Sequence, residues 1–313
     1  MTLQDHGGRR AFDLAAGMVG SSSPGPWFGF VNLMELHAPY DPPPRFHPLL
    51  ASGATRGPGG PSMLHYQLRQ MGFRKRPDRG YLETLRSLYW ASARYQDRLL
   101  SRFLDMVRER DRPAVVLVVS DHGENLGDHG LFAHHSSLHE TLLHVPFLTW
   151  GHRVEQFAGA VERPVSVAEA SGWILSAVDR NGDGAGPVEG GLPLVSEYES
   201  TARHMGLPAD LRKRLREGGP DALPRLVNSP GMAVRRDGLK YVATADGEER
   251  LFDLSSDPGE MHDVLPGGAD QARSFRPLRD AWMKRRDGLR TGPSGERAED
   301  EMAEHLRELG YIE

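Results

Sequence analysis

Residues 114–146, AVVLVVSDHGENLGDHGLFAHHSSLHETLLHVP, constrain this chain more than any other stretch. They open on an unbroken apolar, mostly β-branched run, Ala114 to Val119. Such a run, bounded by a turn signal, reads as a strand buried on both faces. Ser120, Asp121, His122 and Gly123 follow directly. In an open α/β sheet, ligands bind at the carboxyl ends of the strands. A carboxylate beside an imidazole can supply part of a metal site there, and the glycine lets the backbone turn sharply. A polar loop then carries His129, His134, His135 and His139, before the apolar run Leu142–Trp150 returns to the core. Taken alone, an Asp-His pair after a strand is more often a solvated loop than a site.

A second strand end repeats the theme. Trp27–Met34 (WFGFVNLM) is aromatic and β-branched and reads as a strand. Glu35, Leu36, His37, Ala38, Pro39 and Tyr40 follow it, then Asp41 and three prolines. Upstream, residues 6–19 have the pattern of a short amphipathic helix. Residues 45–79, rich in Gly, Pro and Arg, read as a surface excursion. The stretch 81–110 places Leu85, Leu88, Leu99 and Leu100 at helical spacing opposite a charged face, which predicts a long helix packed on the core.

Past Trp150, residues 164–178 predict another amphipathic helix, and Asp179 to Gly184 follow the opening of a calcium loop, D-x-N-x-D-G. That pattern requires glutamate at its twelfth position, where this chain has Gly190, so a plain turn is expected. Residues 192–198 predict a strand and 209–216 a helical piece. Three short runs follow, Gly231–Arg236, Lys240–Thr244 and Glu249–Leu254, separated by Asp237-Gly238 and Asp246-Gly247. Asp-Gly between alternating runs signals hairpins, so a small antiparallel sheet is expected. Charged helices are expected at 270–288 and 296–309.

Composition excludes several classes. The net charge is −5 with no long basic run, which argues against nucleic-acid or membrane-surface binding. No cysteine is present, so neither a disulfide framework nor a thiolate zinc site can form. The sequence as given has no secretory h-region and no 18-residue apolar run, which leads to the expectation of a cytoplasmic chain without a membrane span. His135 and His139 stand four apart, but a zinc-protease motif needs glutamate directly after the first histidine, and Ser136 is there.

The long stretch resembles the sulfatase family of the alkaline-phosphatase superfamily. The family's late motif runs S/T-D-H/N-G-E, G-[DE]-H-G-L-[FW], a basic residue, and a segment ending V-P. This chain has S-D-H-G-E at 120–124, G-D-H-G-L-F at 127–132, His134 at the basic position and L-H-E-T-L-L-H-V-P at 138–146. F-V-N-L-M-E-L-H-A-P-Y at 30–40 is similar to the segment that delivers an active-site histidine, and L-F-D-L-S-S-D-P-G-E at 251–260 to a C-terminal family segment.

The resemblance implies an alkaline-phosphatase-like α/β fold: a mixed, mostly parallel sheet flanked by helices, then a small C-terminal antiparallel sheet. It divides the chain into a core over 1–198 and an antiparallel subdomain with a charged tail over 199–313. It implies that Asp121 and His122 ligate a divalent metal, calcium first, with manganese or magnesium compatible. It implies that His37 and His134 contact the sulfate or phosphate group, one of them protonating the leaving oxygen. The implied substrate is a sulfuric ester; a phosphodiester or phosphonate ester is the close alternative. Two upstream family elements, the paired aspartates and the C/S-x-P-x-R nucleophile motif, have no counterpart here. The expectation is therefore an N-terminally truncated chain whose missing segment is a partner, or a non-catalytic binding remnant.

Overall fold

The computed structural model describes residues 7–21, 27–47, 79–110, 112–134, 137–152, 164–178, 193–198 and 229–291. Most of the 45–79 excursion, the 179–184 turn, the 209–216 helix and the second tail helix lie outside them. The chain divides into two compact units, one of residues 1–114 with 126–133, the other of 115–125 with 134–313.

In the first unit, α1 (Gly8–Ser21) packs on the long α2 (Arg79–Arg108). The apolar stripe of α2 does what its spacing predicts: Leu85, Leu88, Ala91, Tyr95 and Leu99 are all buried. Phe12 meets Phe103 at 5.3 Å between ring centroids, beside Tyr95 and Leu99. The buried carboxylate of Glu35 accepts a hydrogen bond from Gly8 N–H at 2.7 Å, placing negative charge at the amino end of α1, where the helix dipole favours it.

The expected strand at Trp27–Met34 is not formed: no described strand pairs with it. Phe28 and Phe30 are 77% and 81% exposed. Its residues have the right propensity, but a strand is stabilised by cross-strand neighbours, and no described segment supplies them.

In the second unit, β1 (Val115–Val119) pairs antiparallel with β4 (Phe147–Gly151), from Val115 opposite Gly151 to Val119 opposite Phe147. β1 is half-buried rather than buried on both faces, and among the described residues it has this single ladder partner. α4 (Ala170–Val178) packs on β1, and the buried Trp173 meets Phe147 edge-on at 5.5 Å. Between β1 and β4 in sequence lie the two-residue strands β2 (Asn125–Leu126) and β3 (Phe132–Ala133), of which residues 126 and 132–133 belong to the first unit, and the one-turn helix α3 (Glu140–Leu143) of the second. Pairings registered among the described residues are antiparallel.

The C-terminal sheet forms as expected and gains an edge strand. β5 (Leu194–Tyr198), β6 (Gly231–Arg236), β7 (Leu239–Thr244) and β8 (Glu249–Asp253) pair in that order. Asp237 and Gly238 have φ of 53° and 78°, the two positive values that a two-residue type I′ hairpin demands. The period of two divides the sheet cleanly. Met232, Val234, Tyr241 and Leu251 pack with Phe275 and Trp282. Ala233, Val242 and Phe252 pack with Leu138 and Leu143 instead. Phe275 precedes α6 (Arg276–Thr291), which follows α5 (Ala269–Arg273). Among the described residues, no helix is long and apolar enough to cross a membrane.

Candidate active site

The turn after β1 is tightly specified. Ser120 Oγ donates to the carbonyl of His122 at 2.7 Å, and His122 N–H donates to Asp121 Oδ1 at 3.0 Å. Gly123 N–H donates to Leu142 O at 2.8 Å. A Cβ on residue 123 would lie 2.1 Å from Thr141 O, so only glycine lets the two backbones meet here.

On this turn sit the two expected metal ligands. Asp121 is exposed and His122 half-buried, with Nε2 of the ring 3.7 Å from Asp121 Oδ2. His122 Nδ1 lies 2.9 Å from Gly123 O. A carbonyl only accepts, so Nδ1 carries the proton and Nε2 is left with the lone pair whenever the ring is neutral. A backbone carbonyl behind one ring nitrogen is the usual support for a histidine that ligates metal through the other.

His134 joins them. Its ring stacks on that of His122, 4.4 Å between centroids and 23° between planes. Its Nδ1 lies 3.5 Å from Glu124 Oε2, at ion-pair distance. Glu124 is buried, and its other oxygen, Oε1, has no hydrogen-bond partner among the described residues. A buried carboxylate oxygen without a partner is costly, and a bound cation or proton donor would relieve the cost. The structure therefore brings Asp121, His122 and His134 together and adds Glu124. The sequence shows Glu124 as the last letter of S-D-H-G-E, but nothing in the sequence shows its burial against His134.

His37 belongs to the first unit. Its backbone N–H donates to Met34 O at 3.0 Å and its Nδ1–H to Ala38 O at 2.7 Å, again leaving Nε2 as the lone-pair nitrogen. Ala38 and Tyr40 anchor the turn by packing with Leu85 and Leu88 of α2.

The G-D-H-G-L-F half of the motif is structural within the same unit. Gly127, His129 and Gly130 have φ of 97°, 53° and 74°. Arg86 of α2 donates to Leu126 O at 3.1 Å and to Asp128 Oδ1 at 3.1 Å, fastening the loop to the helix.

Sequence reasoning missed a second polar group in the second unit. Lys240 is 1% exposed, with Nζ 2.9 Å from Glu140 Oε1 and 2.8 Å from Glu260 Oε1. Arg235 pairs with Glu140 Oε2 at 2.8 Å, and His139 Nδ1 lies 3.1 Å from Glu260 Oε2. Burial alone would raise the Glu260 carboxyl, but the hydrogen bond from His139 and the charge of Lys240 outweigh it and bring the pKa down to about 2.

Asp121, His122, Glu124 and His134 thus form an acidic and imidazole cluster on a glycine turn at a strand end. A family model described as Sulfatase matches residues 9–178, more than half of the chain. The chain belongs to the sulfatase family.

Over 183 residues it is 22% identical to the Delta 4,5-hexuronate-2-O-sulfatase of Bacteroides thetaiotaomicron, covering 56% of this chain and 37% of that protein. Over 196 residues it is 29% identical to human Arylsulfatase K, covering 58% and 34%. The chain thus spans about a third of the length of these curated relatives. A solved structure of a protein in complex with its substrate D-glucosamine-2-N,6-O-disulfate aligns with a TM-score of 0.59 at 12% identity, covering 88% of this chain and 69% of that one. The phosphonate monoester hydrolase of Agrobacterium radiobacter aligns with a TM-score of 0.56 at 18% identity, covering 89% and 59%. These likenesses establish the alkaline-phosphatase-like α/β fold.

Proposed function

We propose that this chain serves the metal-dependent hydrolysis of sulfuric esters, supplying the late half of a sulfatase-type site. The observation that carries the reading is the cluster after β1, where Asp121, His122, Glu124 and His134 converge and a buried carboxylate oxygen lacks a partner among the described residues.

The donor set fits a divalent cation. Asp121 and the Nε2 lone pair of His122 are its ligands, with calcium the first choice and manganese or magnesium compatible with mixed oxygen and nitrogen donors. A cation bound there would neutralise charge on the ester's non-bridging oxygens. His122 is held for this by its Nδ1–H bond to Gly123 O. Glu124 and the stacked ring of His122 orient His134, whose Nε2–H, when the ring is protonated, is then the donor to an anionic oxygen of the substrate. His37, in the first unit, has Nδ1–H committed to Ala38 O, so when its ring is protonated Nε2–H is the donor it holds for an anionic oxygen. A histidine with its ring protonated gives the Nε2 proton to the leaving oxygen as the ester bond breaks.

The nucleophile is not assigned within these residues, since the sequence holds no cysteine and no C/S-x-P-x-R element. We assign it, with further acidic metal ligands, to a segment pairing beside the exposed Trp27–Asn32 stretch. Tetrahedral sulfate and phosphate esters demand similar sites, so a phosphodiester or phosphonate ester is the alternative substrate. A binding-only chain is the alternative of a different class.

The test is hydrolysis of 4-nitrophenyl sulfate and bis(4-nitrophenyl) phosphate with added manganese or calcium. The chain alone is expected to show no turnover, and addition of the nucleophile-bearing segment to restore sulfate-ester cleavage. Preferential cleavage of the phosphate diester would select the alternative substrate. Full turnover by the chain alone would refute the assignment of the nucleophile.

A further inference from the structure

We infer that Glu260 is a positioning residue for the metal-binding turn, acting through α3; this rests on the reading of Asp121 and His122 as metal ligands. The chain of contacts is continuous within the second unit. Glu260 Oε2 accepts from Glu140 N–H at 2.7 Å and faces His139 Nδ1 at 3.1 Å, so one carboxylate oxygen holds the first residues of α3. Lys240 ties Glu260 and Glu140 together, and Arg235 holds the other oxygen of Glu140. α3 passes the constraint on. Leu142 O accepts from Gly123 N–H at 2.8 Å, Thr141 Oγ1 donates to Asn125 Oδ1 at 2.7 Å, and Pro146 O accepts from Ser120 N–H at 3.3 Å. The turn bearing Asp121 and His122 is thus gripped on both sides by the segment that the buried ion group anchors.

Two features favour positioning over stability as the reason for this group. Burying two ion pairs costs desolvation energy that apolar residues of similar volume would avoid, so such groups are weak devices for stability and better suited to fixing one arrangement. Glu260 also sits at φ 54°, a left-handed conformation that a residue with a side chain keeps only when its surroundings hold it there. An apolar contact could slide along α3; a carboxylate bridging His139, Glu140 N–H and Lys240 cannot.

The experiment is amide hydrogen exchange by NMR on the full chain, wild type against Glu260→Gln, Lys240→Met and the double variant, with manganese affinity measured in parallel. The double variant removes both charges together and leaves no uncompensated lysine, so it remains informative where a single variant fails to fold. Protection of the Gly123 amide is expected to fall at least tenfold more than protection of central β1–β4 ladder amides, and manganese affinity to weaken about tenfold. If Gly123 protection changes only in step with the β1–β4 ladder, Glu260 does not position the turn and the inference is overturned. If wild-type protein binds no manganese, or binds it equally after Asp121→Ala, the metal reading fails; the Gly123 exchange still decides the role of Glu260.

Discussion

Glu260→Gln gives a pH-dependent loss of stability whose size follows from the structure. The carboxyl falls from an ordinary 4.5 to about 2 in the folded chain, pulled down by His139 and Lys240 against its burial. At 1.36 kcal/mol per pH unit this amounts to about 3 kcal/mol. Between those two values the unfolded chain binds the proton and the folded chain does not. The contribution is therefore fully present above about pH 4.5 and lost as pH falls towards 2. Glutamine keeps the shape and one acceptor but cannot carry the charge. Urea unfolding of both proteins from pH 7 down to 3 reads the contribution as the difference between the two curves. At pH 7 the variant is expected to be less stable by about 3 kcal/mol. The gap should narrow steadily below pH 4.5. Curves that stay parallel across the range would show that Glu260 carries no such charge coupling.

Three further outcomes are expected. Gly123→Ala forces a methyl into the space of Thr141 O, 2.1 Å from an ideal Cβ; it should cost about 1–3 kcal/mol in thermal unfolding and weaken manganese binding in calorimetry. Gly238→Ala, at φ 78° and with Ser255 Oγ 2.5 Å from an added Cβ, should lower stability by about 1 kcal/mol with metal affinity unchanged. Glu124→Gln should leave the fold intact but release His134, seen as movement of the His134 ring resonances in NMR without loss of the dispersed core signals.

Much of this was legible in the sequence because it was local. The period of 3.6 in residues 81–110 and the period of two around Asp237-Gly238 depend on neighbours a few residues apart, and α2, β6, β7 and β8 formed where they were expected. The closeness of Asp121, His122 and His134 was legible because a strand end and its loop keep chemistry close in the chain. The Trp27–Met34 stretch misled because propensity describes a residue's fit to a sheet, and a ladder needs a second strand that no described segment provides. Glu260 was illegible for a different reason. It lies 121 residues from His139, and no periodicity signals a pairing at that distance. Its own segment, L-F-D-L-S-S-D-P-G-E, reads as a strand leaving through an Asp-Pro turn. Glu124 fell between these cases: its place in the motif was plain, and its burial depended on the ring of His134 folding back over it.

The central claim is that the turn after β1 is a divalent-cation site built from Asp121 and His122. Titration calorimetry with manganese and with calcium, on wild type, Asp121→Ala, His122→Ala and Gly238→Ala, tests it most directly. The account predicts binding in the wild type and in Gly238→Ala, and its loss in both ligand variants while their unfolding temperatures stay close to that of the wild type. Equal binding in all four proteins would remove Asp121 and His122 from the site and contradict the account.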